Sequence, residues 1–158
     1  MIKNTNEIQT NEVILDSETI FKVELTERYM GKLGHNCDLL IELTKICQKY
    51  NIKVGRIEAI GAVKCANLAY YDQTIRKYLT FFIDKPLEIT KLIGNISIFE
   101  EKAFVHAHIT LADKDGNCYG GHLSSGTIVY ACEFILESYK GHLFERSQDN
   151  KTGLNLWK

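Results

Sequence analysis

A chain of 158 residues, 45% hydrophobic and 25% charged, has the make-up of an ordinary globular protein and can bury a core without staples. Its formal net charge of −1 excludes a surface that is basic all over, as a general nucleic-acid magnet would be, but not a local basic patch. No apolar run nears the roughly 18–20 residues of a membrane helix, and the polar opening from Met1 to Thr10 lacks the apolar core of a signal peptide. The five cysteines, Cys37, Cys47, Cys65, Cys118 and Cys132, are odd in number, widely spaced and without a C-x-x-C pair. That usage suits buried thiols in a reducing compartment, and a cytoplasmic protein is expected.

Residues 1–18 are polar and mixed and read as an N-terminal arm, with residues 19–158 as one domain. Thr19 to Thr26 alternates, Phe21, Val23 and Leu25 against Ile20, Lys22 and Glu24, and predicts a first strand. Arg28 to Gly34, with glycines at 31 and 34, reads as a loop. A helix follows, capped by Asn36, with Asp38 suited to the first-turn dipole and Leu39, Leu43, Ile46, Cys47 and Tyr50 on one face; Asn51 ends it.

From there the pattern is strand. Lys53 to Val63 is β-rich, and Gly55 and Gly61 signal bulges or close backbone approach. Cys65 to Tyr71, Arg76 to Phe82 and Leu87 to Phe99 continue it, separated by Asp72–Thr74 and Asp84–Pro86. Thr127 to Leu136 is the most apolar stretch and predicts a central strand, while Leu154, Leu156 and Trp157 predict a last edge strand. One helix against six or more strands gives an α+β domain, with the helix packed on a curved, mostly antiparallel sheet.

The chemistry concentrates between Phe104 and Leu123. Side chains two apart in a strand share a face, so His106 and His108 point together beside Phe104 and Thr110, while Val105, Ala107, Ile109 and Leu111 face a core. The turn Asp113–Asn117 folds the chain back and brings His122, behind Gly120–Gly121, toward them. Two same-face histidines are equally at home as polar surface or hydrogen-bonded core. A third points to a divalent metal with an open fourth position, zinc by preference, nickel, iron or manganese by chemistry also compatible.

Glu133 lies inside an apolar run, where a carboxylate needs a partner. Its readings stay open: an acceptor that orients a ligand histidine, a general base, or an ion pair with Arg56, Arg76 or a neighbouring subunit. Glu58 and Glu88 share the ambiguity. The glycine pair is followed by no Lys and Ser/Thr at a helix start, which excludes a phosphate loop. The twelfth position counted from Asp113 is Ser124, which excludes a calcium loop closed by Glu. No basic helix or AT-hook run is present for reading DNA.

Taken together, the helix, Gly61 to Val63, Ala66 to Asp72, Leu87 to Ile96, the His106–His108 strand, Asp113 to Gly116, Gly120 to Leu123 with Gly126, Glu133, and the tail with Arg146, Asp149 and Thr152 to Leu154 resemble the prokaryotic PPC-domain proteins (plant and prokaryote conserved domain). The resemblance runs over roughly residues 19 to 157. It implies a small α+β domain that assembles as a homotrimer, and a binding or regulatory role under the label of candidate DNA-binding protein. In plant relatives the DNA contact comes mainly from an AT-hook beside the domain, which this chain lacks. For some prokaryotic members it implies a metal on the H-x-H and G-G-H histidines, here His106, His108 and His122. Acetolactate decarboxylases share the fold type and a similar histidine pattern. By that analogy the alternative is a zinc-dependent lyase or hydrolase on a small carbonyl or carboxylic acid substrate, with Glu133 or Arg56 as acid/base or anchor.

Overall fold

Strand alternation and one capped helix set the architecture, which a computed structural model describes for residues 20–158. The arm expected over residues 1–18 lies outside the described residues. In chain order the elements are β1 (Val23–Lys32), α1 (Leu39–Lys49), β2 (Gly55–Asp72), β3 (Lys77–Ile83), β4 (Leu87–Phe99), β5 (Lys102–Ala112), β6 (Cys118–Leu123), β7 (Ile128–Gly141), β8 (Arg146–Gln148) and β9 (Asn155–Trp157). Among the described residues no helix is long and apolar enough to cross a membrane.

The main sheet is antiparallel in every pairing, ordered β1-β7-β2-β4-β5-β6. The long strand β2 pairs with β4 along its first half and with β3 along its second. It also meets β6 at Leu68↔Leu123 and Ala69↔His122, so the path β2-β4-β5-β6 returns to β2. Gly61 sits at an irregularity in β2. Its φ is +141°, a Cβ there would stand 2.2 Å from the Ala131 carbonyl oxygen, and the register with β4 shifts between Ala59 and Gly61.

The helix lies against β5. Leu39, Leu43 and Cys47 are buried on its inner face, over a core that includes Val105, Ala107, Ile109 and Leu111. Each fully buried Leu or Ile contributes about 1.5–3 kcal/mol relative to exposure. Those same four β5 residues fix the other parity outward. His106 and His108 therefore stand on the sheet face away from the helix.

Three expectations change. The helix is capped by Asp38, not Asn36: Asp38 Oδ1 accepts from Ile41 N at 3.0 Å, while Asn36 takes a left-handed turn at φ 65°. The stretch Arg28 to Lys32, read as loop, is strand, because Gly31 fits β1 against the Phe134 ring of β7 where a Cβ would stand 2.8 Å away. The tail's apolar end does not extend the main sheet. β9 pairs only with β8 in a separate two-stranded ribbon, which reaches the sheet through an Ile98↔Glu145 bridge and through Arg146.

Candidate metal centre

Two strands deliver the histidines. His106 and His108 project from β5, and His122 of β6 is the register partner of His108. The glycine pair before His122 lets β6 sit tightly between two strands. A Cβ on Gly120 would lie 3.1 Å from the Ile109 carbonyl oxygen, and one on Gly121 would lie 3.0 Å from that of Ala69. The rings form a near-equilateral triangle, with centroids 5.3 Å apart for His106 and His108, 5.1 Å for His106 and His122, and 5.4 Å for His108 and His122.

One ring nitrogen from each lies within 4.8 Å of the other two. Nitrogens sharing a tetrahedral zinc at ~2.0–2.1 Å stand about 3.3 Å apart, so small ring rotations close the set. The buried Nδ1 of His122 has no hydrogen-bond partner among the described residues. An orphaned imidazole nitrogen within a cluster of three histidines fits a metal ion, which accepts its lone pair. The donor set fits.

The electrostatics keep His106 and His122 neutral, the form that ligates. Burial, reinforced by Arg146, His122 and His108, pushes the His106 pKa down to about 4. Burial, then His108 and Arg146, lowers that of His122. The Tyr78 ring of β3 lies 4.9 Å from that of His122, and burial raises the tyrosine's pKa. The nearest cation is Arg146 at the start of β8. Its Nε donates to Ser97 Oγ at 2.7 Å, its Nη2 to Asn95 Oδ1 at 2.8 Å and to His106 Nδ1 at 3.3 Å, and its Nη1 to the Asn155 carbonyl at 2.9 Å.

Tyr78, Asn95, Ser97 and Arg146 are the site residues that sequence reasoning passed over. A polar Asn95 in mid-strand, register partner of His106, carries a signal. Nothing in the sequence places Arg146 beside a histidine forty positions away.

Arg56 and Glu133 fall differently. Arg56 is the β2 register partner of Asn95 and lines, with His106 and His108, a cavity of about 520 Å³. Its own partner is Glu58. Glu133 is exposed, because its apolar sequence neighbours Cys132 and Phe134 point to the opposite face. It stands on β7, with β2 and β4 between it and β5, and three strand spacings are about 14 Å. It touches none of the three histidines and lines a separate recess of about 750 Å³ with Met30, Lys32, Ile60 and Lys91.

Known proteins share the fold. The chain is similar to a metal-containing protein from Archaeoglobus fulgidus, 38% identical with a TM-score of 0.86, over 89% of this chain and 99% of that one. It is similar to a plant- and prokaryote-conserved (PPC) protein from Pyrococcus horikoshii, 30% identical with a TM-score of 0.84, over 89% and 97%. A candidate DNA-binding protein from Bacteroides thetaiotaomicron is 27% identical with a TM-score of 0.78, over 86% and 96%. The bifunctional protein GlmU of a Synechococcus strain is 32% identical over 127 residues, 79% of this chain, yet the chain spans only 19% of that relative's length. Residues 22–140, from the edge of β1 to the end of β7, match the Plants and Prokaryotes Conserved (PCC) domain, and the chain belongs to that family.

Proposed function

We propose that this is a self-associating, metal-binding PCC-domain protein in which His106, His108 and His122 hold a divalent transition ion, zinc by the preference of an all-imidazole set. The observation that carries the reading is the convergence of three imidazoles, one nitrogen from each within 4.8 Å of the others. The metal-containing relative from Archaeoglobus fulgidus supports it. When bound, such an ion supplies Lewis acidity at its open position. The protein's own groups do the rest: burial keeps His106 and His122 neutral, the Gly120–Gly121 pair seats His122 beside His108, and Arg56 lines the approach as an anchor.

The homotrimer has support in two separate apolar patches. Met30, Ile60 and Ile135 are exposed around one recess, and Leu79, Phe81 and Phe82 are exposed on β3. A cyclic trimer joins unlike patches head to tail. Glu133 lies at the first patch, where a neighbouring copy would meet it. The return of β6 to β2 supports the curved sheet.

Elemental analysis tests the metal. Purified protein is expected to carry close to one equivalent, and the His108→Ala variant to lose most of it. Metal absent from the native protein, or retained equally by the variant, overturns the reading. DNA binding, the role named for the Bacteroides relative, is the second reading. Its check is a salt titration of binding to duplex DNA, and affinity weaker than micromolar at low salt sinks it.

A further inference from the structure

On the outer face of the sheet two arginines are paired with carboxylates: Arg28 with Glu137 at 2.8 Å and Arg56 with Glu58. Arg146 is different. It is half-buried, its guanidinium carbon 5.4 Å and 5.7 Å from the ring centres of Phe104 and Trp157. Among the described residues it meets no carboxylate, and Ser97, Asn95, the Asn155 carbonyl and His106 are all neutral partners. A half-buried charge without a counter-ion is costly, and a divalent cation beside it adds to the imbalance.

The hydrogen-bond inventory shows where an anion fits. A guanidinium has five N–H donors and no acceptor. Four are used, one at Nε, one at Nη1 and two at Nη2, the last against the lone pair of His106 Nδ1. A neutral imidazole has one N–H and one lone pair. Ligation through Nδ1 uses that pair, and ligation through Nε2 moves the proton onto Nδ1. Either way Arg146 loses its acceptor on His106. One N–H on each terminal nitrogen is then available beside Asn95 and His106, two of the residues that line the cavity. The cavity walls include Ile96, Phe144 and Trp157, which suit an apolar body.

From this we infer that the site takes an organic carboxylate with an apolar body, gripped by Arg146 once His106 is committed to the metal. Arg146 and the metal compete for His106, whereas metal and carboxylate assist one another. The inference rests on the metal reading above.

Calorimetric titration of the full chain with benzoate tests it, first on metal-free protein and then on zinc-loaded protein whose zinc content is fixed by elemental analysis. Benzamide, of similar shape without charge, is the control. Benzoate is expected to bind the zinc-loaded protein about tenfold or more tighter than the metal-free protein, and tighter than benzamide by a similar factor. In Arg146→Gln, zinc affinity is expected to rise several-fold as the competitor leaves, while benzoate affinity falls by about tenfold or more. A merely structural arginine would lower both. Zinc bound, with benzoate no better than benzamide or indifferent to zinc, overturns the carboxylate inference and leaves the metal site standing. No zinc bound overturns both. If Arg146→Gln does not fold, the native-protein titrations decide.

Discussion

His108 and His122 face each other as register partners across β5 and β6, and His122 is at the same time the partner of Ala69 on β2. One side chain is thus placed by two strand pairings, and Gly121 is what lets both close. Its missing Cβ would sit 3.0 Å from the Ala69 carbonyl oxygen and 3.4 Å from Leu68 Cβ. Gly121→Val is expected to push β6 away from β2 and cut metal content by more than half while the protein still folds. Gly34→Ala, where a Cβ meets nothing within 4 Å, is expected to change neither. Elemental analysis beside thermal melts checks the pair, and full metal retention in Gly121→Val would count against the strand-wedge account.

Asp38 joins the helix to the sheet. One carboxylate oxygen caps α1 at Ile41 N, and the other accepts from Gly126 N at 2.6 Å, in the loop before β7. Asp38→Ala removes both bonds and is expected to lower stability by about 2 kcal/mol, above the ~1 kcal/mol of an ordinary cap. Asp38→Asn, able to keep the cap acceptor, is expected to cost less. Urea denaturation of the three proteins measures the difference.

Asp113 predicts the acid limb of the stability curve. Its carboxylate accepts from Lys85 Nζ at 2.8 Å, Tyr119 Oη at 3.0 Å and Asn117 N at 3.0 Å. Lys85 foremost, with Asn117 and Tyr119, holds its pKa well below the usual carboxylate range. The unfolded chain takes up this proton near pH 3.9 and the folded chain only at lower pH. The stabilisation is therefore complete above about pH 5 and lost as pH falls through 4 and below. Asp113→Asn is expected to be less stable than the native protein at pH 7, with the gap narrowing by pH 3. Thermal melts at pH 7, 5 and 3 show it, and a constant gap would contradict it.

The parity of Phe104 to Leu111 was legible because α1 needs an apolar floor and the strand alternates strictly to supply one. The long β2 was legible through Gly55 and Gly61, whose backbones approach β7 too closely for a side chain. What stayed hidden has one cause: contacts that join distant segments leave no local pattern. The run Arg28 to Lys32 resembles a loop until Phe134 explains Gly31. The carboxylate of Glu133 seems buried until the pleat turns it outward. Arg146 reaches His106 only because the β8–β9 ribbon folds over the end of β4.

The last prediction concerns self-association. Met30 is 78% exposed and pairs in register with Ile135 on the open sheet face, while Phe82, 57% exposed, lies on a β3 strand that buries no residue fully. A monomer that leaves both patches in water gains when unlike patches meet, and a ring of three needs each patch three times. Replacing either side chain by a charge removes about 1.5–3 kcal/mol of apolar burial at every interface and adds a desolvation cost. Met30→Asp and Phe82→Asp are therefore each expected to shift the protein from trimer to monomer at micromolar concentration, while Tyr130→Asp, exposed on neither patch, leaves the trimer intact. Sedimentation equilibrium reads all three. If only one of the two patch variants dissociates, the ring uses a different pair of surfaces, and if the native protein sediments as a monomer the trimer fails outright.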